Sequence, residues 1–316
     1  MIKYFLILLS FQAFSQSFAP EPGALGSTAI FKNSSAIIGW ASNVAIVRGP
    51  MNILAPQNGD ANYGLDSDAT GAANGGVVVS LGDGGEAIAT FENPIVNGIG
   101  PDFAIFENGF ADHYMEFAFV EVSSDGINFF RFENTSEAPI NQQIGNFSFS
   151  DCRYVNNLAG KYRVNYGTPF DLAELENETG LDVSNITHVK LIDVIGSIDP
   201  AVGSYDSFGN IINDPFPTEF ESGGFDLDAI AVLNNTTNTI SRKDNDLYGV
   251  YPNPFTTSIS IVGLESNLDV EVIDVMGKVV FTGRTEFNRL NLNSLKSGIY
   301  WLVLSGASPI KIIKTE

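Results

Sequence analysis

The sequence is poor in the residues that usually build reactive or cross-linked sites. Among 316 residues there is one cysteine, Cys152, so an internal disulfide is excluded, and there are only two histidines, His113 and His188. A zinc centre of the common Cys/His kind needs more ligands than these. Basic residues are scarce as well: 16 Lys and Arg stand against 37 Asp and Glu, a net charge of −21. A surface of that sign repels phosphate backbones and argues against nucleic-acid binding. Two tryptophans are too few for a broad stacking platform on crystalline polysaccharide. No apolar run is as long as the roughly 20 residues of a membrane-spanning helix. A nucleophile elbow of the form Gly-x-Ser-x-Gly is missing, and so is a phosphate-cradling glycine loop ahead of a helix.

What is present is core material. Hydrophobic residues make up 44% of the chain, with 24 Phe and 31 Gly, enough to fold most of it. Residues 1–15 place Lys3 before a short apolar run and Ala13-Phe14-Ser15 after it, the pattern of an export signal cleaved before Gln16. Cys152 is then a single thiol in a non-reducing compartment, expected to be buried and inert. Residues 235–248 are polar and without periodicity, as a linker is. The charge divides there. Residues 16–245 carry 9 basic and 30 acidic side chains, whereas residues 246–316 carry 6 and 7. The acidity belongs to the first part, 16–234.

Both parts read as β. In the first, Val77–Leu81, Ala87–Phe91, Asp102–Phe106, Phe117–Ser123, Phe129–Glu133, His188–Val194 and Phe225–Leu233 are short Val-, Ile- and Phe-rich runs between turn residues. Ser124-Asp125-Gly126 predicts a hairpin turn, and Gly82–Gly85 is expected to be another. Helix is expected only around Pro169–Glu178, with Asp171 as its cap. This pattern predicts an all-β fold, a jelly-roll β-sandwich. The second part, 249–316, contains six or seven strand-like runs, among them Ser258–Val262, Val270–Asp274, Ile299–Leu304 and Ile310–Lys314. A small Ig-like sandwich follows, with Met276-Gly277-Lys278 as one of its turns.

The tail has further detail. Tyr251-Pro-Asn-Pro-Phe255, Val272-Ile-Asp-Val-Met-Gly-Lys-Val-Val280, Leu295-Lys-Ser-Gly-Ile-Tyr-Trp301 and Ile310-Lys-Ile-Ile-Lys314 resemble the type A sorting domain of the type IX secretion system of Bacteroidota. The resemblance implies that the type IX machinery is a partner of residues 249–316. It also implies outer-membrane translocation and a final place on the cell surface or outside the cell. In the first part, Ser80–Glu86, Gly100–Phe110, Phe119–Gly126, Leu158–Lys161 and Gly223–Asp228 resemble a group of bacterial cell-surface proteins. Their core is similar to the jelly rolls of galactose-binding modules. A more distant likeness is to surface lipoproteins that capture cobalamin.

Two constellations carry the candidate chemistry. Between 199 and 228 stand Asp199, Asp206, Asp214, Glu219, Glu221, Asp226 and Asp228 with no Lys or Arg among them. Either a hard cation relieves this crowding by gathering six to eight oxygens, or the acids are solvated on an exposed loop. In the first case Ca²⁺ is the cofactor, and Asp206, Asn210, Asp214, Asp226 and Asp228 are its expected ligands. Tyr63-Gly-Leu-Asp66-Ser-Asp68 is a weaker oxygen cluster of the same kind. The second constellation leaves the strand ending near Phe106. Glu107, Asn108, Asp112, His113 and Tyr114 combine an aromatic ring with amide and carboxylate groups, the chemistry that holds a sugar. The alternative is that Asn108-Gly109 only makes a turn. Glu107, Glu116 and Glu121 offer a carboxylate pair in principle, yet nothing in the sequence sets their separation, and no catalytic residue is assigned. The expected function is non-catalytic binding at the cell surface, of a glycan, with calcium as a structural ion. The rivals are capture of a nutrient of cobalamin type, glycoside hydrolysis, and an adhesive or coat role.

Overall fold

The computed structural model describes residues 18–233, 249–262, 269–274, 278–285, 288–304 and 310–315. The leader expected at 1–15, the linker at 235–248 and the Met276-Gly277 turn lie outside these. Among the described residues, regular structure is strand interrupted only by 3₁₀ turns, and no helix is long and apolar enough to cross a membrane. The chain divides into two compact units between Thr237 and Asn238.

The first unit contains β1 (Ile30–Phe31), β2 (Ile37–Trp40), β3 (Asn43–Val47), β4 (Val79–Ser80), β5 (Glu86–Ile95), β6 (Phe103–Glu107), β7 (Ala118–Ser123), β8 (Phe130–Arg131), β9 (Thr135–Ser136), β10 (Val155–Asn156), β11 (Tyr166–Phe170), β12 (Ile186–Asp193) and β13 (Asp226–Leu233). One antiparallel sheet runs β1-β11-β6-β13-β2, with β4 also paired to β13, and a second runs β3-β5-β12-β7-β8. Phe103, Ile105, Phe170 and Ile230 of the first sheet share one core with Ala87, Val120, Val122, Val189 and Leu191 of the second. This is the two-layer sandwich that alternating strands require. Phe103 is fully buried, stacked on Phe170 at 5.3 Å and edge-on to Phe132 at 5.9 Å. Phe103→Ala is expected to cost about 3–5 kcal/mol. The loss would be read as a lower urea midpoint at unchanged slope; a cost below about 1 kcal/mol would mean that the ring is not in a close-packed core.

Two local expectations differ from the fold. Gly82–Gly85 does not close a hairpin: β4 pairs with β13 whereas β5 pairs with β3 and β12, so the loop crosses between the sheets. The expected helix is shorter, because Pro169 and Phe170 belong to β11. What remains is one 3₁₀ turn, Leu172–Leu175, in which Asp171 accepts from the Ala173 N–H at 2.9 Å. Strands β1 to β3, half-exposed, were not among the expected strands, although Ile37–Trp40 and Val44–Val47 are apolar in sequence. The Asp125-Gly126 turn does join β7 to β8, with Asp125 Oδ1 accepting from Ile127 and Asn128 at 2.8 Å.

The second unit contains β14 (Gly249–Tyr251), β15 (Ser258–Val262), β16 (Asp269–Asp274), β17 (Val279–Arg284), β18 (Arg289–Asn291), β19 (Gly298–Leu304) and β20 (Ile310–Lys314). They form antiparallel sheets of order β14-β15-β18 and β17-β16-β19-β20. Ile259, Ile261 and Leu290 from one sheet pack with Val270, Val272, Leu302, Leu304 and Ile312 from the other.

Candidate functional site

Strand alternation places acids at one end of the first sandwich. In β12, Val189 and Leu191 face the core, and Asp193 continues their parity. In β6, Phe103 and Ile105 face it, and Glu107 continues theirs. Asp193 lies opposite Ala118 at the start of β7, and Glu107 opposite Leu227 near the start of β13. The inward rows of both sheets therefore run into carboxylates at the same end. Glu116, just before β7, and Asp214 and Asp226 join them as buried residues.

Most of these acids are engaged by the loops they hold. Asp193 accepts from the Phe225 N–H at 2.6 Å and the Gly84 N–H at 2.9 Å, tying two glycine-rich loops together. Gly224 sits at φ 74°, and a Cβ there would lie 2.8 Å from Asp193 Oδ1, so only glycine fits. Asp214 Oδ2 accepts from the Phe117 N–H at 2.7 Å, while its Oδ1 has no partner. Asp226 accepts from the Ser80 hydroxyl.

Glu107 is different. It is 1% exposed, and neither carboxylate oxygen makes a hydrogen bond of ordinary geometry. Burial and then the charge of Asp226 push its pKa well up, and the nearby N–H groups of Gly109 and Asn108 offset only part of this. Glu116 is raised by burial and then by Asp226, Glu107, Asp214 and Asp193. Burial alone is the first cause for Asp193 and Asp214, both raised, and for Asp83 and Asp226, each pushed up to about 6. A cation that acts on Asp226 is Arg48. Its guanidinium donates to the Tyr63 and Gly64 carbonyls, each at 2.8 Å, and to the Ser80 carbonyl, and its charge still lowers Asp226.

The segment after β6 rises over this end. Tyr114 is half-buried and stacks on Phe110 at 4.3 Å. It faces Phe147 at 6.5 Å, and Phe147 meets Phe220 at 6.5 Å. Three of these rings are open to solvent, at 63% for Phe110, 72% for Phe147 and 45% for Phe220. The Tyr114 hydroxyl has its pKa raised by burial and then by Glu116 and Glu107, so the ring lies within the field of the acids. Of the expected ligand-binding residues, Glu107, Asn108 and Tyr114 come together here. Asp112 forms an ion pair with Arg163 at 2.7 Å, and exposed His113 sits edge-on to Phe149 at 6.4 Å.

The five expected calcium ligands do not form one group. Asp206 Oδ1 accepts from the N–H groups of Phe208 and Asn210, and its Oδ2 from the Ser136 N–H and the Asn210 amide, all at 2.8–2.9 Å. Burial raises its pKa, but these bonds outweigh it and the net shift is downward. The loop from Asp206 to Asn210 is closed by its own donors. Asp228 is held by the Asn74 and Gly75 N–H groups at 3.0 and 2.9 Å. Asp214 and Asp226 lie in the buried cluster, and the charge of buried Asp228 also reaches Glu107. Among the described residues no three His, Cys, Asp or Glu side chains are arranged to share a metal ion.

Other candidates are engaged in the fold. Asp68 accepts from the Leu65 N–H at 2.8 Å. Glu121 pairs with Arg131 at 2.8 Å and Lys190 at 3.0 Å, so it offers no free carboxylate. Cys152 is buried, its thiol pushed up to about 11 by that burial. Asp193 was not among the candidates, and Glu116 was weighed only as one of a possible carboxylate pair. Their signal was position: an acid at the end of an apolar strand, in the parity of its buried side chains.

Residues 249–315 match the family model described as the secretion system C-terminal sorting domain. No curated protein matches the chain. Among solved structures it is similar to PorZ, described as an essential bacterial surface component of the type IX secretion system of Porphyromonas gingivalis. The identity is 18% over 28% of this chain and 14% of that one, with a TM-score of 0.21. The matched part is thus a small fraction of the neighbour's length, and the likeness carries no argument about the first unit.

Proposed function

We propose that this protein, exported by type IX secretion on its C-terminal sorting domain to the cell surface or the extracellular space, uses its acidic first unit to bind a glycan there. The observation that supports the reading is the run of rings Phe110, Tyr114, Phe147 and Phe220. It is open to solvent and set on loops beside buried carboxylates. A sugar presents C–H faces to stack on such rings and hydroxyls to meet neighbouring polar groups. Exposed aromatic side chains cost solubility, and a cluster of them marks a place of contact. A structural calcium ion belongs to the same reading, as the element that steadies these loops.

The test is a glycan array probed with the exported full chain, followed by calorimetry on a retained glycan. Phe110→Ala is expected to weaken binding by about tenfold or more, because the ring is exposed and its loss removes stacking rather than core packing. Phe31→Ala, at an exposed ring in β1 outside this run, should leave binding unchanged. An array with no retained glycan, or a Phe110→Ala protein that binds as the parent does, would refute the proposal.

A further inference from the structure

The buried acids raise a problem of charge that the fold does not solve by itself. Glu107 and Glu116 come from opposite sheets, Asp226 acts on both, and Asp214 and Asp193 add to the field at Glu116. Arg48 acts on Asp226, whereas the groups acting on Glu107 and Glu116 are burial, other acids and, at Glu107, two N–H groups. Such a cluster does not stay ionised out of water: it takes up protons, or a cation that replaces them.

Two observations place such a cation. Both oxygens of Glu107 are buried and unpartnered. Beside them is a cradle that only glycine leaves open: a Cβ on Gly109 would lie 2.7 Å from Glu107 Oε2 and 2.9 Å from the Tyr114 carbonyl oxygen. A charged and a neutral oxygen thus converge on the same point of backbone. The Asn108 amide donates to Asp226, which also accepts from Ser80, and this keeps that carboxylate oriented.

We infer that a calcium ion seats against Glu107, with the Glu107 carboxylate and the Tyr114 carbonyl as ligands and Glu116 and Asp226 as the neighbours whose charge it balances. No three acidic, His or Cys side chains are arranged as joint ligands among the described residues. Main-chain oxygen must therefore take part, which calcium accepts readily with its six to eight hard ligands and tolerant geometry. The Asp206–Asn210 loop is not the seat, because its carboxylate is filled by four donors. This inference rests on the calcium part of the proposed function and is indifferent to the sugar.

The experiment is calcium titration calorimetry on the chelator-stripped full chain, with thermal melts in chelator and in calcium. Glu107→Gln is expected to weaken calcium binding by at least about tenfold, since it removes the charged ligand. In chelator the same variant should melt at or above the parent's temperature, because a carboxyl that burial forces to hold a proton is gone; in calcium it should melt below it. That reversal separates a ligand from a residue that merely packs. Asp206→Asn should lower both melts alike and leave calcium affinity in place. Glu116→Gln is the second variant, should Glu107→Gln not fold: weaker calcium binding is expected. Calcium binding lost in Asp206→Asn but kept in Glu107→Gln overturns the placement alone. A parent protein that binds no calcium overturns the placement and the calcium reading together.

Discussion

Deleting residues 246–316 leaves the remaining chain inside the cell envelope instead of at its surface. This is the largest effect expected of any change to the protein, because the deletion removes the matched secretion sorting domain, 249–315. The second unit has its own core, Phe255, Ile259, Ile261, Val272, Leu302 and Ile312 among its members. The first unit's core contains none of these residues. The truncated protein is therefore expected to fold and to accumulate in the periplasm. Protease shaving of intact cells, with fractionation, checks this: the full chain is accessible and the truncated one is protected. Surface delivery of the truncation at the parent's level would refute the assignment of the tail. A Val272→Asp change, which puts a charge into that core, should mimic the deletion by unfolding the domain that is read.

The second large effect is on stability against pH in the absence of calcium. Asp83, Asp102 and Asp226 have pKa values pushed up to about 6, and Glu107, Glu116, Asp193 and Asp214 are also raised, burial being the first cause in every case. A carboxyl with a raised native pKa binds a proton in the folded state that it does not hold in the unfolded one. Stability therefore falls as pH rises through the native pKa and is regained on acidification towards the unfolded value. Asp151 and Asp206 have lowered pKa values, Asp151 through its bond to Arg153 and Asp206 through bonds that overcome burial. They act in the opposite sense, but only as pH drops through and below the usual 3.8. In chelator, the first unit should melt roughly 5 °C or more higher at about pH 5 than at about pH 7.5. Calcium should shrink or reverse that difference, since the ion competes with the protons for the same oxygens. A chelated protein that gains stability with rising pH across this range would show that the cluster is not held as described.

Much of the architecture was legible because it is written in local pattern. The alternation in Ile186–Asp193 and Val270–Asp274, the Asp125-Gly126 turn and the Asp171 cap all act over a few residues. The loop Gly82–Gly85 misled because glycine allows a turn without saying which strands it joins. Only the pairing of β4 with β13 and of β5 with β12 shows that it crosses between sheets. The candidate site was half legible. The segment from Glu107 to Tyr114 was read as one group, and three of its five polar residues do come together. The acids of 199–228 were read as a single group because they are close in sequence. In the fold, Asp206 and Asp228 satisfy themselves with nearby N–H donors, whereas Asp214 and Asp226 join acids from other strands.

By itself, the sequence determined the export route, the all-β class and the charge imbalance, since each depends on short motifs, two-residue periodicity or composition, none of which needs distant parts of the chain to meet. Which carboxylates stay without a partner was decided only by the tertiary structure. Glu107 and Glu116 share one low-dielectric space because strand parity in two different sheets points them to the same end of the sandwich, and electrostatic energy is set by distance and burial, not by separation along the chain.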